Sequence, residues 1–323
     1  MSQGSAQPSP TRVVSGTCDH ILVFAFPAQG HMLALLDLPH KLAIRGLFIT
    51  IVVTPKNVPI LTHLLSSHPI TVKTLILPFP GHPSIPPGVE NMSELPYLGI
   101  GDMTVALNEL DNPTDDWFQN HSSPPVAIIS DLFLGFYFDH IKTEYGHDRV
   151  FAVGPLLPSG NNTIERGGSS WKDVLSWLDT CAAKSVLFVS FGSQFVLTNK
   201  QMEELALGLE TSGVKFVWAV KEPTGGHVTG EYGKIPAGFE DRVAGRGLVA
   251  RGWVPQVAIL NHGSVVALLT YCGWNSIMEA MMAGVLMLTW PMSADNFSNV
   301  RLLHELKIGV KACEGRRACS RLE

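Results

Sequence analysis

Short apolar runs recur along the chain, each followed by a turn and then by apolar positions at helical spacing. His20 to Pro27 (HILVFAFP) reads as a buried strand. The turn Ala28-Gln29-Gly30-His31 follows, then a helix with Met32, Leu35, Leu36, Leu42 and Ala43 on one face, ending at Gly46. Leu47 to Val53 is a second strand, Pro59 to Leu65 a helix, and Thr71 to Leu77 a third strand ended by Pro78 and Pro80. After a proline-rich loop, Met103 to Leu110 has helical spacing. Val126 to Ile129 is a fourth strand with Ser130-Asp131 at its carboxyl end.

Residues 153–170 carry Gly, Pro, Ser and Asn and read as a linker, after which the alternation restarts. Trp171 to Leu178 is a helix and Val186 to Phe191 a strand. The next helix places Met202, Leu205, Ala206 and Leu209 on one face, and Thr198-x-x-Gln201 forms a capping box at its start. Phe216 to Val220, Leu248 to Ala250, Val265 to Thr270 and Val285 to Thr289 are further short strands. Such alternation predicts parallel α/β sheets in two halves, 18–152 and 171–323, after a disordered tail over 1–17. The first half is short: at about 30 residues per strand–helix unit it yields four strands.

Composition narrows the classes. Of 323 residues, 46% are apolar and only 16% charged, so the chain buries much of itself and is not disordered as a whole. The net charge of -5 leaves no basic surplus for a nucleic-acid binder. Five scattered cysteines without a C-x-x-C point to reduced thiols and a cytoplasmic protein. The N-terminus lacks a basic region followed by an apolar run, so no signal peptide is expected, nor is a membrane span.

The chemistry concentrates in Trp253 to Asn299. Val265 to Thr270 is a strand, Cys272-Gly273 a tight turn, and Ser276-Ile277-Met278-Glu279 reads as a capping box opening a helix. A strand–turn–helix start offers free backbone N–H groups and the positive end of a helix dipole, which suits a diphosphate. Trp253 offers a face for a stacked base, Glu279 an acceptor for ribose hydroxyls, and Asp295 and Asn296 partners for sugar hydroxyls. An ordinary capped strand–helix turn fits the same residues equally well.

The motifs add a resemblance. Trp-x-Pro-Gln at Trp253, Cys-Gly-Trp-Asn-Ser-x-x-Glu at Cys272 and Trp-Pro-x-x-x-Asp at Trp290 together resemble the signature box of plant secondary-product UDP-glycosyltransferases. Outside the box, HILVFAFPAQGHM, ILPFPGHPSIPPGVEN, PPVAIISDLFLG, HDRVFAVGPLLP and LFVSFGSQ are similar to the same family, most of all to its flavonol and small-phenol O-glucosyltransferases. The resemblance implies the GT-B fold, two Rossmann-like domains facing across a cleft. It implies that His31 is the general base and Asp131 its orienting partner. Trp253 would stack on uracil, with Gln256 near uracil or ribose and Val254 in the same donor-binding set. Glu279 would hold the ribose hydroxyls, and Ser193, Asn275 and Ser276 the diphosphate. Trp274, Asp295 and Asn296 would contact the sugar, with Tyr271 and Gly273 in the same donor-binding set. The implied reaction is an inverting transfer of glucose from a UDP-sugar co-substrate to a phenolic hydroxyl, by a monomer with no cofactor and no metal.

The chain departs from that pattern. Tyr271 stands where the family has His, Asn296 where it has Gln, and Val266 where Gly is usual. Pro39 falls inside the first helix, where a kink would move His31. Leu132-Phe133-Leu134-Gly135 runs directly into Tyr137-Phe138-Asp139-His140, so family segments between them are expected to be missing, as are C-terminal helices after Glu323. An inactive family member that at most binds UDP-sugar is the alternative expectation. A nicotinamide oxidoreductase is disfavoured, because Gly245-Arg246-Gly247 runs into a strand and not a helix.

Overall fold

The computed structural model describes residues 19–95, 100–131, 171–193, 195–223, 230–292 and 295–313. The expected tail, the linker and the junction after Gly135 lie outside them. The first half comprises β1 (His20–Ala25), α1 (Gln29–Ile44), β2 (Phe48–Val53), α2 (Thr62–Ser67), β3 (Val72–Ile76), α3 (Ile100–Asn108), α4 (Asp111–Asn120) and β4 (Ala127–Asp131). Its four strands are all parallel, in the order β3-β2-β1-β4. Ile21 and Val23 of β1 pack one face with Ile49, Ile51, Leu35 and Ala43, while Leu22 and Val52 pack the other with Met103 and Leu107. This two-sided burial is why the strands read as continuous apolar runs.

Sequence and structure differ at two places in this half, and a third shows how the proline is accommodated. The helix expected at Pro59 to Leu65 is a 3-10 turn over Pro55–Leu61 followed by α2, because Pro59 lacks the N–H that a longer α-helix would need. Helix α4 (DNPTDDWFQN) escaped the pattern because none of its residues is fully buried and it has no apolar stripe. Helix α1 runs through Pro39 to Ile44. Interior proline costs ~3 kcal/mol, which the packing of Met32, Leu35 and Ala43 on the sheet offsets. His31 sits in the first turn, two turns ahead of Pro39, so the helix delivers it directly from β1.

The second half comprises α5 (Trp171–Asp179), β5 (Val186–Ser190), α6 (Asn199–Ser212), β6 (Lys215–Val220), α7 (Phe239–Arg242), β7 (Gly247–Arg251), α8 (Gln256–Leu260), β8 (Val265–Thr270), α9 (Trp274–Ala283), β9 (Leu286–Thr289), α10 (Asn296–Glu305) and β10 (Gly309–Lys311). Its six parallel strands run β10-β9-β8-β5-β6-β7. The Thr198–Gln201 capping box forms on α6, which ends at Gly213 with φ 68°, a conformation that glycine adopts without cost. Phe188, Val217 and Leu268 are fully enclosed on one face of the sheet, and Val189, Phe216 and Trp218 on the other. Strand β10 was not anticipated, being only three residues long.

Each sheet reverses direction beside its first strand. In the first, β1 lies between β2 and β4; in the second, β5 lies between β6 and β8. The crevice outside the carboxyl ends at such a reversal is where open α/β sheets bind ligands. His31 follows β1 and Asp131 ends β4; Ser193 follows β5 and Tyr271 to Ser276 follow β8. The topology therefore brings the sequence candidates to the two switch points.

Candidate functional site

The turn after β8 is the centre of the site. Cys272 adopts φ 70°, a left-handed conformation costly for any residue with a Cβ. Its backbone is held from several sides. The Cys272 N–H donates to Thr270 Oγ1 at 3.1 Å, and Asn299 Nδ2 donates to the Cys272 carbonyl at 3.0 Å. The thiol is enclosed, and burial pushes its pKa up to about 12, which leaves it an inert packing group.

Gly273 is the N-cap of α9 and supplies no side-chain cap. This corrects the capping box expected at Ser276. The helix begins at Trp274 and its cap at Gly273, each three residues earlier than the box implies, so Ser276 lies within the first turn and Glu279 a further turn in. The backbone N–H groups at this helix start are left without a side-chain cap, the arrangement that receives anions. Ser276 is buried, and its hydroxyl accepts from Gln256 Nε2 at 3.0 Å; the same amide nitrogen donates to Glu279 Oε2 at 2.8 Å. Gln256, Ser276 and Glu279 thus form one network joining α8 to α9.

Asp295 and Asn296 stand at the start of α10, near the same turn. Asn296 is buried at the start of α10, with Nδ2 3.5 Å from Asp295 Oδ1. Asn299 Nδ2 donates to Asp295 Oδ2 at 2.9 Å while also holding the Cys272 carbonyl, so one amide ties the turn after β8 to the carboxylate after β9. Sequence reasoning missed Asn299. Its spacing of four from Asp295 on a helix was the available signal, since such residues share a face.

Trp253 follows β7, half-buried, and its indole Nε1 is buried without a hydrogen-bond partner. Val254 beside it is core, and Trp274 stands exposed. Ser193 follows β5, and its carbonyl accepts a short hydrogen bond from Lys221 Nζ. Lys221, also missed from sequence, lies just past β6, and burial lowers its pKa to about 8.

The acceptor-side candidates lie across from these. His31, partly buried, packs edge-on to Phe26 with ring centroids 5.5 Å apart. Asp131 pairs in register with Ala25 at the end of β1, while its side chain lies outside the described residues. The two halves meet at this point. Asn275 Nδ2 donates to the Gly30 carbonyl at 2.6 Å, joining the first turn of α9 to the residue before His31 across 245 positions of sequence. Among the described residues no helix is long and apolar enough to cross a membrane.

Comparison with known proteins bears on the family and the fold. A family model described as "UDP-glucoronosyl and UDP-glucosyl transferase" matches residues 165–320. UDP-glycosyltransferase 89B2 of Stevia rebaudiana is 50% identical over 399 aligned positions, which cover 92% of this chain and 85% of that protein. Flavonol 3-O-glucosyltransferase UGT89B1 of Arabidopsis thaliana is 43% identical, covering 93% and 85%. The crystal structure of Arabidopsis thaliana UGT89C1 complexed with UDP-L-rhamnose superposes with a TM-score of 0.77 at 35% identity, covering 94% of this chain and 87% of that one. The two parallel sheets and their helices are accordingly the GT-B fold. The 399 aligned positions exceed the 323 residues of the chain, so the Stevia relative carries internal segments without a counterpart here. With its donor-side box, its paired sheets and relatives aligned over most of its length, the chain belongs to the UDP-glycosyltransferase family.

Proposed function

We propose that the chain transfers a sugar, glucose first among the candidates, from a UDP-sugar to a hydroxyl of a phenolic or flavonoid small molecule. The observation that carries this reading is the bond from Asn275 to the Gly30 carbonyl, which sets the anion-binding helix start beside the residue that follows Gly30, His31. The imidazole of His31 takes the acceptor proton as the oxygen attacks the anomeric carbon. The bond between that carbon and the UDP oxygen breaks on the opposite side, so configuration inverts. Asp131 orients the imidazole and stabilises its cation. On the donor side Trp253 stacks on uracil, with Val254 lining the base, and Gln256 and Glu279 hold the ribose. Ser193, Gly273, Asn275 and Ser276, with the amides of α9, take the diphosphate and the charge that develops on it. Trp274, Asp295 and Asn296 read the sugar. No metal takes part in this reading, and a cytoplasmic monomer suffices for it.

A second reading is favoured by the internal segments that the Stevia relative has and this chain lacks: a family member that binds UDP-sugar without transferring it. Incubation of the purified chain with UDP-glucose or UDP-rhamnose and a panel of phenols separates the two. UDP release together with a glycosylated product, both lost in His31→Ala, supports transfer. UDP binding without product for every acceptor overturns it in favour of the second reading.

A further inference from the structure

The phenol of Tyr271 lies in the crevice where the second sheet reverses. It follows β8 directly, and its neighbour across the crevice is the loop after β5. Two glycines show how tightly it is wedged. A methyl group built on Gly192 would meet Tyr271 Cε1, Oη and Cζ at 2.5 to 2.8 Å. One built on Gly273 would collide with Oη and Cζ and come within 2.8 Å of Cε2. The ring therefore fills the space that glycine opens in both loops, and Phe195 packs against it with centroids 5.3 Å apart.

These two loops are also those that present Ser193 and the uncapped start of α9. A close approach of a backbone to a phosphate needs the space beside such glycines to be open. The groups around the phenol are those assigned above to the donor. Burial, then the charges of Asp295 and Glu279, push its pKa above the ordinary tyrosine range, so the hydroxyl stays neutral there.

Resting on the donor-binding reading above, we propose that Tyr271 is a steric determinant of donor entry: its ring occupies the diphosphate position and must swing out before a UDP-sugar can seat. Tyr271 acts by its volume, not through its hydroxyl. The energy of displacing the ring is subtracted from donor affinity, as for any ligand whose competent state is a minor one.

The test is titration of UDP into the parent chain and three variants by calorimetry, each first shown to melt cooperatively. Tyr271→Ala and Tyr271→His, which shrink the ring, should each tighten UDP at least ten-fold. Tyr271→Phe, which keeps the ring and drops the hydroxyl, should give no tightening. The histidine variant guards against a cavity that Phe195 collapses into. If Tyr271→Phe and Tyr271→Ala both weaken UDP, the hydroxyl is a donor contact and the plug is overturned. If the parent binds UDP well and no variant improves on it, the plug is overturned while donor binding stands. Failure of all four folded chains to bind UDP overturns the donor reading, and the plug with it.

Discussion

The two halves solve the same topological problem with different means. In the second, Gln256 to Asn299 supply nearly the whole proposed donor side from one stretch, and six described strands bury both faces of the sheet beneath it. In the first, His31 follows β1 and Asp131 ends β4, elements a hundred positions apart that reach the same end of the sheet because β4 pairs with β1. The donor side is a local device standing on a large core. The acceptor side is a long-range juxtaposition standing on four described strands. Damage to packing should therefore reach the proposed catalytic pair more readily than the donor box.

The largest effect expected is chemical. A positioned general base contributes ~10²–10⁴-fold, so His31→Ala should cut transfer by that factor with UDP affinity unchanged. Turnover near the parent level would remove His31 from the mechanism. Next come paired core truncations. Phe188 and Ile51 are both almost wholly enclosed, one in each half. Phe188→Ala should cost ~3–5 kcal/mol and Ile51→Ala ~2–5 kcal/mol. If the halves unfold separately, only Phe188→Ala lowers the melting step that UDP raises. A single step lowered equally by both would show one cooperative unit and dissolve the contrast.

Asn299→Ala leaves a carbonyl and a carboxylate short of a donor. Losing a buried partner costs ~1–3 kcal/mol. UDP-sugar affinity should fall more than UDP affinity if Asp295 reads the sugar as proposed. A double-mutant cycle with Asp295→Ala should show coupling of ~0.5–3 kcal/mol; strict additivity would mean that Asn299 supports only the helix.

The smallest effect concerns Lys221. Its pKa falls from 10.5 to about 8 on folding because burial disfavours the charged amine. Below pH 8 both states are protonated and the folded chain bears the cost. Between pH 8 and 10.5 the unfolded chain binds more protons, so stability rises with pH through that window. Lys221→Met should therefore raise the melting temperature by roughly 2–4 °C per kcal/mol gained at pH 7, with the gain shrinking above pH 8. A loss at pH 7 would mean that the bond to Ser193 outweighs the burial.

Nine of the ten described strands were readable because buried parallel strands are apolar throughout. Helix α4 and strand β10 were not, being polar in one case and three residues long in the other. In the site, Trp253, Gln256, Glu279 and Asp295 stood out because their types and spacing repeat a known box. The start of α9 was misread by three residues: Ser and Glu at capping spacing carry the signal of a box, while Gly273 is the residue that caps the helix. Lys221 was silent, since a lysine after a strand has no significance until its partner is known, and Asn299 gave only its spacing of four from Asp295.

The sequence by itself determined the α/β alternation, the two halves, the donor box and the candidate base, because each rests on local periodicity or on a contiguous motif. Only the tertiary structure decided that Asn275 reaches Gly30, that Asn299 joins Cys272 to Asp295, and that Tyr271 fills the crevice between Gly192 and Gly273. These contacts depend on which strands become neighbours and how closely their loops approach. That is a property of the packed sheet, and no spacing along the chain encodes it.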